Sequence, residues 1–137
     1  MEQTLAILKP DCIHKKLAGR VIALIEDSGF AVLEMKMLTL TRRAAEGFYS
    51  VHRGKDFFNG LVDFMLSGPV VVMVLEREGA VLTLREIMGK TDPAQAAPGT
   101  IRKQWAENTR RNIIHGSDSA ESARYEINFF FGERAAS

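Results

Sequence analysis

The run Val70-Val71-Val72-Met73-Val74-Leu75 is apolar at every position and mostly β-branched. β-Branched side chains favour extended backbone, and a strand without a polar face has to be covered on both sides. This segment therefore calls for a layered molecule with a central strand between two coats of other structure. With Pro69 it is the longest apolar candidate in the chain. That is far short of the roughly 18 to 20 residues a membrane helix needs, so no membrane span is expected.

The rest of the pattern supplies the coats. Thr4 to Leu8 is short, β-prone and partly alternating, and it stops at Lys9-Pro10-Asp11. Pro10 removes a ladder donor there, so a strand is expected to enter a loop. From Lys16 to Ser28, Leu17, Val21, Leu24 and Ile25 recur at helical spacing, and Gly29 ends the segment. Phe30 to Leu40 alternates and predicts a long, half-buried strand. Thr41 is the expected N-cap of a helix from Arg42 to about Val51, and a second helical stretch covers Phe57 to Leu66. After the Val70 to Leu75 strand, another helix is predicted over about Ala80 to Met88. Gly89 to Gly116 reads as a long irregular stretch holding Pro93, Pro98 and Gly99, and such loops are usually functional. A short strand near Ile113 to His115 precedes a helix over Ser119 to Phe131. Asp118 or Ser119 would cap that helix, and Glu121 could complete a capping box. The order predicts an α/β sandwich of one sheet with helices packed against it, the strand directions being open to either sense.

Size and charge narrow the function classes. A chain of 137 residues fits one domain, expected over 1–137, and 46% hydrophobic against 26% charged residues suits a globular core. Eighteen Lys and Arg against 17 Asp and Glu leave a net charge of +1, which gives no support for long-range attraction to nucleic acid or an anionic membrane. Any anion site has to be local. Cys12 is the single cysteine, which excludes an intramolecular disulfide. The start Met1-Glu2-Gln3-Thr4 lacks the basic then apolar layout of a secretory signal, so a cytoplasmic location is expected.

Several phosphate motifs can be set aside. Gly89-Lys90-Thr91 resembles the end of a P-loop, but Leu84 stands where that motif needs its first glycine, and no GxGxxG follows a strand. Cys12 and His14 form one close pair, with His52 and His115 distant, which is poor spacing for a metal. The densest chemistry lies in Asn112-Ile113-Ile114-His115-Gly116-Ser117-Asp118-Ser119. It sets an imidazole at a strand end beside a glycine turn and a helix start. Near neutral pH one imidazole nitrogen is a free nucleophile, while the other must donate a hydrogen bond that fixes the tautomer. Glu126 is positioned to accept it. Phosphoryl transfer spreads charge over peripheral oxygens and needs fixed donors and cations; Arg85, Thr91 and Arg102 are spaced to converge on one opening.

With these residues in view, the chain resembles the nucleoside diphosphate kinase family from Thr4 to about Gly132. The most specific block is Asn112 to Ser119, followed by Glu121-Ser122-Ala123 and Glu126. Lys9-Pro10-Asp11, Phe57-Phe58, Ser67-Gly68-Pro69-Val70-Val71 and Ala97-Pro98-Gly99-Thr100-Ile101-Arg102 match as well. The resemblance implies a ferredoxin-like βαββαβ sandwich with a four-stranded antiparallel sheet. It implies ping-pong transfer of the γ-phosphate of a nucleoside triphosphate, usually ATP, to a nucleoside diphosphate through a pros-phosphohistidine on His115, maintaining nucleotide pools. By the same resemblance Lys9 contacts ribose and phosphate, Tyr49 lies near the phosphorylated ring, and Phe57 stacks on the base. Arg85, Thr91 and Arg102 hold phosphate oxygens, Asn112 touches the ribose 3′-hydroxyl, and Ser117 and Glu126 hydrogen-bond around His115. Mg²⁺ would ride on the nucleotide phosphates with no side-chain ligand, and the chain would form a homo-oligomer, tetramer or hexamer.

Some positions depart from the family pattern. Cys12 stands where glycine is usual, which implies strain if that position needs a positive φ. Lys103 and Arg110 replace a small residue or glycine and add positive charge near the expected mouth of the site, where they would strengthen nucleotide capture. The chain closes soon after Phe129-Phe130-Phe131-Gly132, without the longer tail of many eukaryotic members, as a short bacterial-type member would. A ferredoxin-like RNA-binding or sensing module and an inactive scaffold are the rival readings. The charge balance speaks against the first, and the joint presence of His115, Glu126, Arg85, Thr91, Arg102, Lys9 and Asn112 against the second.

Overall fold

A computed structural model of the chain describes residues 1–132; the last five residues of the expected 1–137 domain lie outside the described residues. Four strands, β1 (Glu2–Leu8), β2 (Ala31–Leu38), β3 (Val70–Arg77) and β4 (Ile114–Gly116), form one sheet in the order β2-β3-β1-β4. All three neighbouring pairs are antiparallel. This is the expected α+β, ferredoxin-like arrangement, except that β2 and β3 are joined by helices rather than a tight turn. Those are α3 (Arg42–Phe48) and α4 (Phe58–Met65), with a 3-10 turn at Ser50–His52 between them. Among the described residues no helix is long and apolar enough to cross a membrane.

The continuous apolar run finds the two coats it demands. Val71, Met73 and Leu75 of β3 point into one core with α2 (Ala18–Asp27), α5 (Ala80–Met88) and Ile101 of α6 (Ile101–Trp105). Val70, Val72 and Val74 point the other way, into a core shared with α3, α4 and Ile127 and Phe130 of α7 (Ala120–Phe131). β1 divides likewise, with Ala6 and Leu8 on the first side and Leu5 and Ile7 on the second. Burying each such aliphatic side chain contributes about 1.5–3 kcal/mol, and these fully buried strands fix the height of everything mounted on their ends.

Four local expectations are corrected. The loop after β1 is a short helix, α1 (Pro10–His14), because Pro10 at its first turn lacks only an amide that would be unpaired there anyway. Cys12 therefore has helical backbone and not a positive φ, so no strain attaches to it. β2 is shorter than expected and mostly exposed rather than half-buried: Met35 is 55% and Met37 60% exposed. It is an edge strand with a bulge between Val32 and Glu34, and its outer methionines, which pair with Met73 and Val71, lie beyond the reach of the helices on that face. Ser119 caps α7 by accepting from the Ser122 amide, which puts Ser122 and not Glu121 at the capping-box position.

The stretch from Gly89 to Gly116 is also more ordered than its composition suggests. Asp92 caps a 3-10 turn at Pro93–Gln95, and Thr100 caps α6 by accepting from the Lys103 amide. Gly89 has φ 86°, and a Cβ there would lie 2.6 Å from Thr100 Oγ1, so only glycine lets the chain leave α5 beneath that cap.

Candidate active site

β4 begins one residue later than the sequence suggests because Ile113 has φ 76°, a left-handed value rare for a β-branched residue. The Ile114 amide donates to Asn112 O at 2.9 Å, closing a three-residue γ-turn with Ile113 at its centre. The strain, of order 1–3 kcal/mol, persists because the turn is held from both sides. Ile113 N donates to Asp11 Oδ2 at 3.0 Å, Lys9 N donates to Ile113 O at 2.9 Å, and the side chain is fully buried. The turn presents Asn112 and His115 on the same side of the sheet end.

His115 pairs with Ile7 across the sheet and lies at the rim of a cleft of about 450 Å³. Its Nε2 is 2.9 Å from Glu126 Oε1, and the same oxygen accepts from Ser117 Oγ at 2.7 Å. Glu126 reaches back from α7 as expected. A carboxylate oxygen in that place fixes the proton on Nε2 and leaves Nδ1 without a hydrogen bond, as a lone pair open to an electrophile. Phe48 meets the ring edge-on at 5.3 Å, which restrains its rotation. Gly116 follows because α5 packs against it, and a Cβ there would lie 2.5 Å from Met88 Sδ.

Nine of the ten residues singled out in the sequence line this cleft: Lys9, Tyr49, Phe57, Arg85, Thr91, Arg102, Asn112, His115 and Glu126. Ser117, the tenth, stands behind it on Glu126. Lys9 is buried, with Nζ donating to Asn112 Oδ1 and Arg110 O, each at 2.7 Å. Burial, and then the nearby Arg102 and Arg110 charges against the opposing pull of Asp11, lower its pKa to about 8. Arg102 is buried too and spends three donors on carbonyls, those of Asn112 at 3.3 Å, Gly89 at 3.0 Å and Ile114 at 2.8 Å. Burial first, and Arg85 second, bring its pKa down to about 10, so it stays cationic at neutral pH with two donors left for an anion. Asn112 completes the lattice by donating to Thr109 O at 3.0 Å and Thr91 O at 3.4 Å. Burial, and secondarily Glu126, push the Tyr49 phenol well above its usual range, so it keeps its proton as a donor.

Arg85 is the more exposed cation, with 42% of its side chain exposed and an ion pair to Asp118 at 2.7 Å. An exposed pair of this kind contributes little stability. At the far end Phe57, the residue before α4, leaves 44% of its surface open as a flat apolar platform. Neither of the two added cations expected at the mouth of the site lines the cleft: Lys103 is exposed on α6, and the Arg110 guanidinium lies against Gly60 of α4.

The sequence reading passes over His52, taking it only as a distant histidine. It lines the same cleft, stacked on Tyr49 at 6.3 Å and tilted against Phe57 at 5.2 Å, with Nδ1 buried and unpartnered. Its place between two aromatics three and five residues away was the available signal. Asp118, weighed only as a helix cap, also faces the cleft. A second cavity of about 360 Å³ lies beyond Phe64, but Lys15 and Glu107 at its wall are spent on each other at 2.6 Å. Among the described residues no three His, Cys, Asp or Glu side chains are grouped to hold a metal ion.

A lone-pair imidazole, a ring of fixed cationic donors and an open aromatic platform on one α+β sandwich define a class: a phosphate-handling enzyme with a histidine at its centre. Comparisons with known proteins give the family. The nucleoside diphosphate kinase family model matches residues 2–136. The chain is 58% identical to a nucleoside diphosphate kinase of Anaeromyxobacter sp. (strain Fw109-5) over 134 residues, covering 98% of this chain and 92% of the relative. It is 58% identical to that of Chlamydia abortus over 133 residues, 97% and 94% of the two chains. Among solved structures, the nucleoside diphosphate kinase of Encephalitozoon cuniculi superposes with a TM-score of 0.95 at 37% identity, over 100% of this chain and 95% of that one. The Aquifex aeolicus enzyme gives 0.93 at 47% identity, over 95% and 94%. The chain belongs to the nucleoside diphosphate kinase family.

Proposed function

We propose that the protein, as a single domain, moves the γ-phosphate of a nucleoside triphosphate, usually ATP, to a nucleoside diphosphate through His115, and so keeps nucleoside and deoxynucleoside triphosphate pools in balance. The observation that carries this reading is the His115–Glu126–Ser117 chain, which leaves one ring nitrogen free inside a cleft of donors. In the first half-reaction the Nδ1 lone pair attacks the γ-phosphorus. The P–N bond forms as the bond to the β,γ-bridging oxygen breaks, and the diphosphate leaves with that electron pair. Glu126 stabilises the positive charge that the ring acquires, through the Nε2 proton. In the second half-reaction a terminal oxygen of the acceptor diphosphate attacks the same phosphorus, the P–N bond breaks, and the ring recovers its lone pair.

Lys9, Arg85, Thr91, Arg102 and the Tyr49 hydroxyl would hold the phosphate oxygens as charge spreads over them, and Asn112 with Lys9 would hold the ribose. The donor set fits a metal carried in by substrate, because Mg²⁺ prefers phosphate oxygens and water and the cleft has no carboxylate cluster among the described residues. When bound, Mg²⁺ neutralises phosphate charge. Stacking on Phe57 commits no donor to one base edge and suits several nucleobases.

We read the chain as a cytoplasmic homo-oligomer, tetramer or hexamer. Support comes from the uncovered Leu33, Met35 and Met37 on the β2 edge and from an unpaired, buried Cys12. Sedimentation distinguishes the two assemblies from a monomer. The transfer itself is tested by initial rates over a grid of ATP and dTDP concentrations. Parallel double-reciprocal lines are expected of a phosphoenzyme mechanism, and intersecting lines would refute it.

A further inference from the structure

We propose that Asp11 is a positioning residue for the transfer: its buried carboxylate clamps the strained Ile113 turn on which Asn112 and His115 are mounted. The inference rests on the nucleotide-transfer reading above. Asp11 lies in the short helix α1 and is only 3% exposed. Its Oδ2 accepts from the Ile113 amide at 3.0 Å, a bond between residues 102 positions apart. The carbonyls of the turn are held by other groups. Lys9 N donates to Ile113 O at 2.9 Å, and Arg102 donates to the carbonyls of Asn112 at 3.3 Å and Ile114 at 2.8 Å. Of these grips only the one from Asp11 takes hold of an amide.

That bond decides which way the Asn112–Ile113 peptide faces. Turning this peptide over would return Ile113 from φ 76° to an ordinary negative value, but it would carry the amide away and disturb Asn112 on one side and His115 on the other. The carboxylate opposes the turn-over, because Oδ1 is already buried without a hydrogen-bond partner among the described residues. Losing the Ile113 amide would leave the whole buried group without a hydrogen bond. Stability alone does not call for a charge in this place, since a buried carboxylate with one oxygen unpaired is costly. The charge has a use at Lys9. Burial weakens the charged form of that amine, Arg102 on α6 and Arg110 on the loop before β4 weaken it further, and Asp11 opposes them. Arg111 faces the Phe64 ring that Lys9 also faces. Of these four neighbours only Asp11 is negative.

The test compares the full chain with Asp11→Ala and Asp11→Asn. Competent sites are counted by the label they take from γ-labelled ATP, and ATP-to-GDP transfer is expressed per labelled site, so that unfolded protein drops out of the rate. Asparagine keeps an oxygen that can accept from the Ile113 amide but carries no charge. We expect Asp11→Ala to lower kcat per labelled site about tenfold or more, and Asp11→Asn to stay within about threefold of the wild type at pH 7. In Asp11→Asn the alkaline rise in KM should begin about half a pH unit or more below that of the wild type, because the anion that favours charged Lys9 is gone. A purely structural Asp11 would change the number of labelled sites and move neither readout. An unchanged rate per site in Asp11→Ala would overturn the proposal, as would Asp11→Asn as slow as Asp11→Ala or an alkaline limb that stays in place. If Asp11→Ala fails to fold and takes no label, the rate and pH profile of Asp11→Asn decide. Failure of the transfer reading would look different, because the wild type would then take no label either.

Discussion

At the end of the cleft proposed to hold phosphate, Lys9, Arg102 and Asn112 are almost fully buried, and each side chain makes two or three hydrogen bonds. At the other end Phe57 is 44% exposed, with the His52 ring and the Lys55 ammonium 5.2 and 5.8 Å away. The difference follows what each end has to do. Transferred phosphoryl charge is stabilised only by donors that are already in place, since reorganising them during reaction would cost what they contribute. A base held by its π-face needs a surface and little else. On the proposed reading the strained turn, the buried cations and the buried strand ends would lie under the phosphates, and the base platform would sit on a loop-helix junction.

The contrast can be broken by substitution, and the largest effect is expected at His115. His115→Ala removes the nucleophile and should lower kcat by about 10⁴-fold or more with little change in melting temperature, checked by coupled assay and calorimetry. Arg102→Ala should damage both activity and fold. It abandons three carbonyls, two of them through buried bonds, and we expect about 3–5 kcal/mol of lost stability by urea denaturation. Glu126→Gln should reduce kcat by about 10²-fold while KM holds, because it removes the carboxylate charge that stabilises the positive charge developing on the ring but leaves the phosphate donors in place. Phe57→Ala, at the open end, should raise KM about tenfold for every nucleotide and leave kcat within a few fold.

The mildest expected effect is a pH dependence. Lys9 titrates near pH 8, below the ordinary 10.5, because burial disfavours its charge. As pH rises through about 8 it sheds its proton and loses its hold on anionic phosphate, so KM should climb on the alkaline side. Stability runs the other way. A lowered lysine pKa penalises the fold while the group is charged, and that penalty is relieved as pH rises from about 8 to 10.5. Lys9→Met should flatten the KM profile.

The sequence pattern makes the fold readable where burial is two-sided. The Val70 to Leu75 run admits no exposed face and is buried along its whole length. It misleads at β2, whose alternation resembles that of a half-buried strand although the chain lays it on an open edge. Alternation says which residues share a face and nothing about whether that face is covered. The site shows the same division. The convergence of His115, Glu126, Arg85 and Arg102 on one cleft is legible because their residue types and spacing restrict where they can meet. The γ-turn at Ile113 is not, since no residue type announces a strained isoleucine held by Asp11 and Lys9 from over a hundred residues away. Nor does the local sequence show that Gly60 clears a seat for Arg110.

The most direct measurement incubates the protein with γ-labelled ATP and Mg²⁺ and then removes the nucleotide. If His115 carries the phosphate, label stays on the protein as an acid-labile, base-stable adduct, passes to GDP as GTP, and never appears on His115→Ala. Label that is acid-stable, that cannot be discharged to GDP, or that persists in His115→Ala would contradict the central claim.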